Sequence, residues 1–213
     1  MIGGLNYGVN ETNKFMFEDF RSSLGKKFMW SYLDGTVPEI DGIKDLLKHG
    51  RVVNRIKAQE LIEYLEHYEI LHIATHGGYR SGYSPTKSSF IVLTGANLDS
   101  PGSYCYVEDI LSSDSIITEL VFLSACRSGQ GYTTGISPPI SIVNTLLNNG
   151  TSYVISSNWN LRDDYAKVYV HSFYQQLKKY SGNVPKAFFK NVQKLRDKKL
   201  PKEVLYAFQL NCR

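Results

Sequence analysis

The feature that most restricts this chain's fold is an alternation of two hydrophobic periods. Apolar runs of strand length occur at 70–75, 90–93, 120–125, 153–156 and 204–210, and segments with apolar residues at helical spacing separate them. The runs are rich in Val, Ile, Leu and aromatic residues with little polar alternation, the pattern of strands covered on both faces. Parallel neighbours require long crossovers, so strands alternating with helices specify a mainly parallel sheet with helices on each side. The expected architecture is therefore α/β, a three-layer α/β/α sandwich.

The helical segments are well marked. One runs over 162–179 with Tyr165, Val168, Tyr169, Phe173 and Leu177 on its apolar stripe, and one over 184–196 with Val184, Ala187, Phe188, Val192 and Leu195 inward. Ile40, Ile43, Leu46 and Leu47, then Ala58, Leu61, Ile62 and Leu65, predict two more. Ser137-Pro138-Pro139 reads as a cap with proline at the first helical position, and Asn149-Gly150 as the stop.

Composition excludes several classes. At 213 residues, 42% hydrophobic and 21% charged, the chain has the makeup of one globular domain. The net charge of +4 comes from lysines and arginines between 178 and 202, which on amphipathic helices read as a solvated face; direct nucleic-acid binding is not expected. Three cysteines without a CxxC spacing argue against a disulfide framework or a structural zinc, and favour a cytoplasmic setting. No apolar run approaches the ~18–20 residues of a membrane span, so no membrane partner is expected. Gly129, Gly131 and Gly135 fit no phosphate-cradle motif, and no cofactor is expected. The start, residues 1–8, reads like a strand end entering a loop. On this reading 1–213 is one domain cut from a longer polypeptide, possibly without its first strand.

Two strand ends carry the chemistry. Ile70-Leu-His72-Ile-Ala-Thr-His76-Gly77-Gly78 ends on a histidine, and Glu119-Leu-Val-Phe-Leu-Ser-Ala-Cys126-Arg127-Ser128-Gly129 ends on a cysteine. Open α/β sheets place their ligands at the carboxyl ends of strands. A thiol there acts as a nucleophile when a neighbouring base favours the thiolate, and histidine suits that task near neutral pH. If the two strands are adjacent, His76 and Cys126 face one crevice. His72 shares a strand face with His76, but no Asp, Glu or Cys at ligand spacing joins them, so it reads as structural and no metal site is expected. His49, His67 and His171 read as surface or packing residues. Cys105 and Cys212 lack cationic neighbours in sequence and read as unreactive.

The blocks Leu-His-Ile-Ala-Thr-His-Gly (71–77) and Val-Phe-Leu-Ser-Ala-Cys-Arg-Ser-Gly (121–129) resemble the two signatures of the CHAT domain, a caspase-like peptidase domain often attached to tetratricopeptide repeats. Ser124-Ala125-Cys126-Arg127 is also similar to the caspase Gln-Ala-Cys-[Arg/Gln/Gly]-Gly signature, with Ser for Gln and an extra Ser before Gly129. Further similarity lies in Asn144 to Gly150 with the strand ending at Trp159, in Asp163-Asp164, in Tyr206 to Leu210, and in the stretch from Tyr32 to Ile40.

The resemblance implies a caspase-like fold and a cysteine endopeptidase working by a dyad. Cys126 would attack the scissile carbonyl, His76 would activate the thiol and protonate the leaving amine, and the backbone N–H groups of Gly77 and Cys126 would form the oxyanion hole. Ser124 falls where related basic-specific families carry an Asp on the pocket floor. Asn158 and Trp159 would line the same pocket, and Asp163 or Asp164 would add charge. The residue preceding the scissile bond stays open, with neutral or basic favoured over Asp. A protein substrate, a fused or associated sensor such as a tetratricopeptide-repeat region, and a bacterial defence or cell-death response complete the expectation. The alternative is a non-catalytic interaction module with the same fold, which loss of His76 or Cys126 would have favoured; both are present.

Overall fold

A computed structural model describes residues 1–3, 5, 17–18, 27–28, 32–47, 50–80, 82–94, 102–113, 115–125, 128–133, 139–159 and 161–213. The expectations for Cys126 and for His49 lie outside the described residues, as does Ser137 itself. In chain order, β1 (Phe17–Glu18) and β2 (Lys27–Phe28) form an antiparallel pair, followed by α1 (Thr36–Lys44) and α2 (Ala58–His67). Next come β3 (Ile70–Thr75), β4 (Gly77–Tyr79), α3 (Pro85–Ser88), β5 (Ser89–Val92), β6 (Tyr104–Tyr106), α4 (Val107–Leu111) and β7 (Leu120–Ala125). The C-terminal part holds α5 (Ile142–Asn148), β8 (Tyr153–Ser157), α6 (Asp163–Lys179), α7 (Val184–Asp197), α8 (Lys202–Leu205) and β9 (Phe208–Cys212).

The central sheet has the order β3-β7-β8-β9, with β3, β7 and β8 parallel and β9 antiparallel to β8. Ile2 extends it beside β3: its N–H donates to His72 O (2.7 Å), and its carbonyl accepts from Ala74 N (2.8 Å). The mainly parallel sheet read from the sequence is thus observed, as are strands at 70–75 and 120–125.

Side-chain alternation divides the core in two. Leu71, Ile73, Val121, Leu123 and Val154 face a cluster completed by α2, α4 and α5, with Leu61, Val107 and Leu146 among its members. His72, Ala74, Leu120, Phe122 and Ile155 face the other side, where Ile40, Tyr169, Phe173, Val184 and Leu195 bring in α1, α6 and α7. Phe122 is the aromatic centre of that second layer. Its ring centroid lies 5.0 Å from His72, 5.1 Å from Phe208 and 5.4 Å from Phe173.

Four expectations are corrected. The run at 90–93 belongs to a separate antiparallel sheet of order β4-β5-β6, because the chain turns back after His76 rather than crossing over. The run at 204–210 divides into α8 and β9, since Pro201 O accepts from the N–H groups of both Val204 and Leu205 and holds a helical turn before the strand. Helix α5 is capped by Ser141, whose side chain accepts from Asn144 N (3.2 Å), rather than starting near Ser137. On α6 the buried arc includes Val170 and Tyr174 while Val168 is exposed, because the helix packs against both α1 and α7. The stop at Gly150 is as expected: its φ of +126° suits glycine, and a Cβ there would come within 2.6 Å of Ile116 O.

Because Phe122 joins β7 to helix α6 and to β9, its truncation should leave a cavity that no single neighbour can fill. Phe122→Ala is expected to cost about 3–5 kcal/mol, read in urea unfolding as a lower midpoint at unchanged slope.

Candidate active site

The site is built where the central sheet meets the small one. At the end of β3 the Thr75 hydroxyl donates to Val92 O (2.7 Å), and the carbonyl of His76 accepts from Val92 N (2.9 Å). Both backbone groups of Val92 on β5 are thereby engaged, which anchors the small sheet to the carboxyl end of β3. His76 sits half-buried at this junction, and Gly77 opens β4 directly after it. Gly78 has to be small, since a Cβ would meet the Phe90 ring at 2.8 Å.

On β7 the in-register partner of Thr75 is Ala125. Beyond β7, Ser128 N donates to Ala125 O (3.2 Å). Buried Ser128 and Ser157 tie the end of β7 to β8. Ser157 N donates to Ser128 Oγ (3.0 Å), and Ser157 Oγ donates to Ala125 O (2.7 Å). The small sheet is tied to the same region through Ser89 Oγ, which donates to Gln130 O (3.3 Å). The described residues on either side of Cys126 are therefore fixed by hydrogen bonds to two neighbouring elements.

A cleft opens beside this corner. Ser124, Trp159 and Asp163, three of the residues expected to bind substrate, line it together, with Glu39, Leu161 and Phe208 among the others. Asn158 and Asp164 are not among its lining residues. The Asn158 amide donates to Tyr206 O (2.9 Å), and exposed Asp164 pairs with Arg162 (2.8 Å). Trp159 is held by its indole N–H on Glu203 O (3.2 Å). Asp163 Oδ2 accepts from Gly35 N (3.2 Å), joining the start of α6 to the start of α1.

Behind the cleft lies a buried polar chain that the sequence reading missed. His72 is fully buried, with Nε2 2.8 Å from Glu39 Oε1 and Nδ1 3.2 Å from the Tyr174 hydroxyl. Burial, aided by the charge on Glu39, pushes the Tyr174 phenol well above its usual pKa, so it stays protonated. His72 is thus a satisfied structural histidine, as expected. The signal for Glu39 was available: Thr36, Glu39, Ile40 and Ile43 follow the spacing of one buried helix face.

The remaining candidates are placed without a role in the site. Cys105 is buried, which pushes its thiol well above its usual pKa, whereas Cys212 is exposed at the end of β9. His67 contacts Glu63 O and half-buried His171 contacts Gly42 O, each at 2.6 Å. Among the described residues no group of three or more His, Cys, Asp or Glu is arranged to hold a metal. No helix of these residues is long and apolar enough to cross a membrane.

Comparison with known proteins agrees with this geometry. The sequence model of the CHAT domain matches residues 11–203, and the chain belongs to that family. Among curated proteins none matches it. The fold is similar to that of the Arg-specific cysteine proteinase gingipain R, at 11% identity and a TM-score of 0.50, over 84% of this chain and 41% of that one. The complex of the pro- and mature domains of the Porphyromonas gingivalis protein gives the same identity and score over 92% and 45%. The chain therefore spans less than half the length of either structure, and the likeness is one of caspase-type fold.

The Ser128–Ser157 lock is testable directly. Ser128→Ala leaves the N–H of buried Ser157 without its acceptor and is expected to cost about 1–3 kcal/mol in chemical unfolding. A change below about 0.5 kcal/mol would instead match an ordinary surface substitution.

Proposed function

We propose that the chain is the peptidase unit of a regulated cysteine endopeptidase, with Cys126 as nucleophile and His76 as its acid–base partner. The observation behind this reading is the in-register pairing of Thr75 with Ala125, the residues that precede His76 and Cys126, at the ends of adjacent parallel strands. Family membership and the caspase-type fold add support.

In this mechanism the Cys126 thiolate attacks the scissile carbonyl carbon, forming a C–S bond. The oxyanion is held by the N–H groups of Gly77 and Cys126, and such donors each contribute about 3–4 kcal/mol to acyl transfer in serine enzymes. His76 gives its proton to the departing amine as the C–N bond breaks. It then takes one from water, which displaces the sulfur and frees the carboxylate product. Ser124, Trp159 and Asp163, which line the cleft, contact the substrate. The substrate is a protein, and a fused or associated sensor controls access to the site, in a bacterial defence or cell-death response.

The three cysteines supply an internal comparison. In the full chain at neutral pH, Cys126 is expected to react with iodoacetamide at least about tenfold faster than exposed Cys212, with buried Cys105 silent. His76→Ala should erase that advantage and lower peptide cleavage by about 10²–10⁴, and Cys126→Ala should abolish cleavage. Equal alkylation of Cys126 and Cys212, with cleavage persisting in Cys126→Ala, would overturn the reading.

A further inference from the structure

We propose that the cleft beside the dyad is a specificity pocket for a cationic side chain, lysine or arginine, and that the carboxylate of Glu39 is the group that recognises it. That the pocket receives the residue preceding the scissile bond rests on the peptidase reading above.

The lining has one sign of charge. Glu39 and Asp163 each bring a carboxylate, and among the described residues no Lys, Arg or His lines the cleft. Trp159, Leu161 and Phe208 supply apolar wall, suited to the methylene stem of a long basic side chain whose head stays polar. Ser124 contributes no charge from β7, so selection falls to helix α1.

The position of the Glu39 carboxylate follows from the hydrogen-bond chain behind it. His72 Nε2 lies 2.8 Å from Glu39 Oε1, and His72 Nδ1 lies 3.2 Å from the Tyr174 hydroxyl. This buried chain fixes one carboxylate oxygen from behind and holds the side chain at the cleft wall. Glu39 is only 3% exposed, and no Lys or Arg among the described residues pairs with it. A carboxylate buried this far, with no such partner beside it, gains from a positive charge that reaches it. An ammonium or guanidinium entering the cleft supplies that charge in a setting where the attraction is less screened than at the surface. Asp163 adds negative potential at the mouth, although one of its oxygens is occupied by Gly35 N.

The test uses the full chain with peptides differing only before the scissile bond: arginine, lysine, citrulline, norleucine or aspartate. Citrulline has the shape of arginine without its charge. Cleavage is read as kcat/KM, and binding of the same peptides is read separately by fluorescence anisotropy with Cys126→Ala. Arginine or lysine should exceed citrulline by about tenfold or more in both readouts. Glu39→Gln should bring arginine to within about threefold of citrulline, with the urea-unfolding midpoint of the variant reporting an intact fold. Glu39→Asp should keep part of the preference; Asp163→Asn should weaken it less than Glu39→Gln.

Equal handling of arginine and citrulline by the unmodified chain, or an arginine preference that survives Glu39→Gln, overturns the proposal. The two readings fail separately. Cleavage without charge preference removes the cationic pocket and keeps the peptidase. Binding that prefers arginine without any cleavage keeps the pocket and removes the peptidase.

Discussion

The in-register parallel pairing of β3 with β7 is the constraint on which the other features depend. Six consecutive residue pairs, from Ile70 with Leu120 to Thr75 with Ala125, hold these strands together. Because successive side chains point to opposite faces, a shift of one residue would exchange the two faces of the sheet. Phe122 would leave its aromatic neighbours, and His72 would leave Glu39 and Tyr174. The register that fills the core is the same one that brings Thr75 and Ala125 level at the rim. Packing and the candidate chemistry are consequently set by one geometrical choice.

Much of the fold was legible in the sequence because its main signals come from burial. Strands β3 and β7 are covered on both faces, so their apolar runs begin and end almost where the hydrogen bonding does. Helices α6 and α7 were legible for the complementary reason, a polar face of lysines opposite an apolar stripe. The small sheet was only partly legible. β4 is Gly-Gly-Tyr and β6 is Tyr-Cys-Tyr, too short for a period to show, and their pairing is imposed by the anchoring of Val92 at the end of β3.

The site divides along similar lines. His76 and the residues flanking Cys126 stand at strand ends, and strand ends are easily located. The cleft was harder, because its walls come from segments far apart in the chain. Ser124, Trp159 and Asp163 could be proposed from their neighbourhood of Cys126 and β8. Glu39 was passed over although it shares the spacing of Thr36, Ile40 and Ile43, since an acidic residue in an amphipathic helix ordinarily faces water. Its burial becomes intelligible only with His72 and Tyr174, which come from a strand and another helix to meet its carboxylate.

The hydrogen bond from Gly35 to Asp163 links positions 128 residues apart. It gives synthesis on the ribosome an order. A nascent chain completed just past β7 already contains His76 and Cys126, yet has neither Trp159 nor Asp163 with which to shape the cleft. The segment around Gly35 must wait for α6 before one wall exists. On the proposed function, substrate selection would be the last property the domain acquires as it is made, and an unfinished chain would carry the proposed dyad without the means to choose a target.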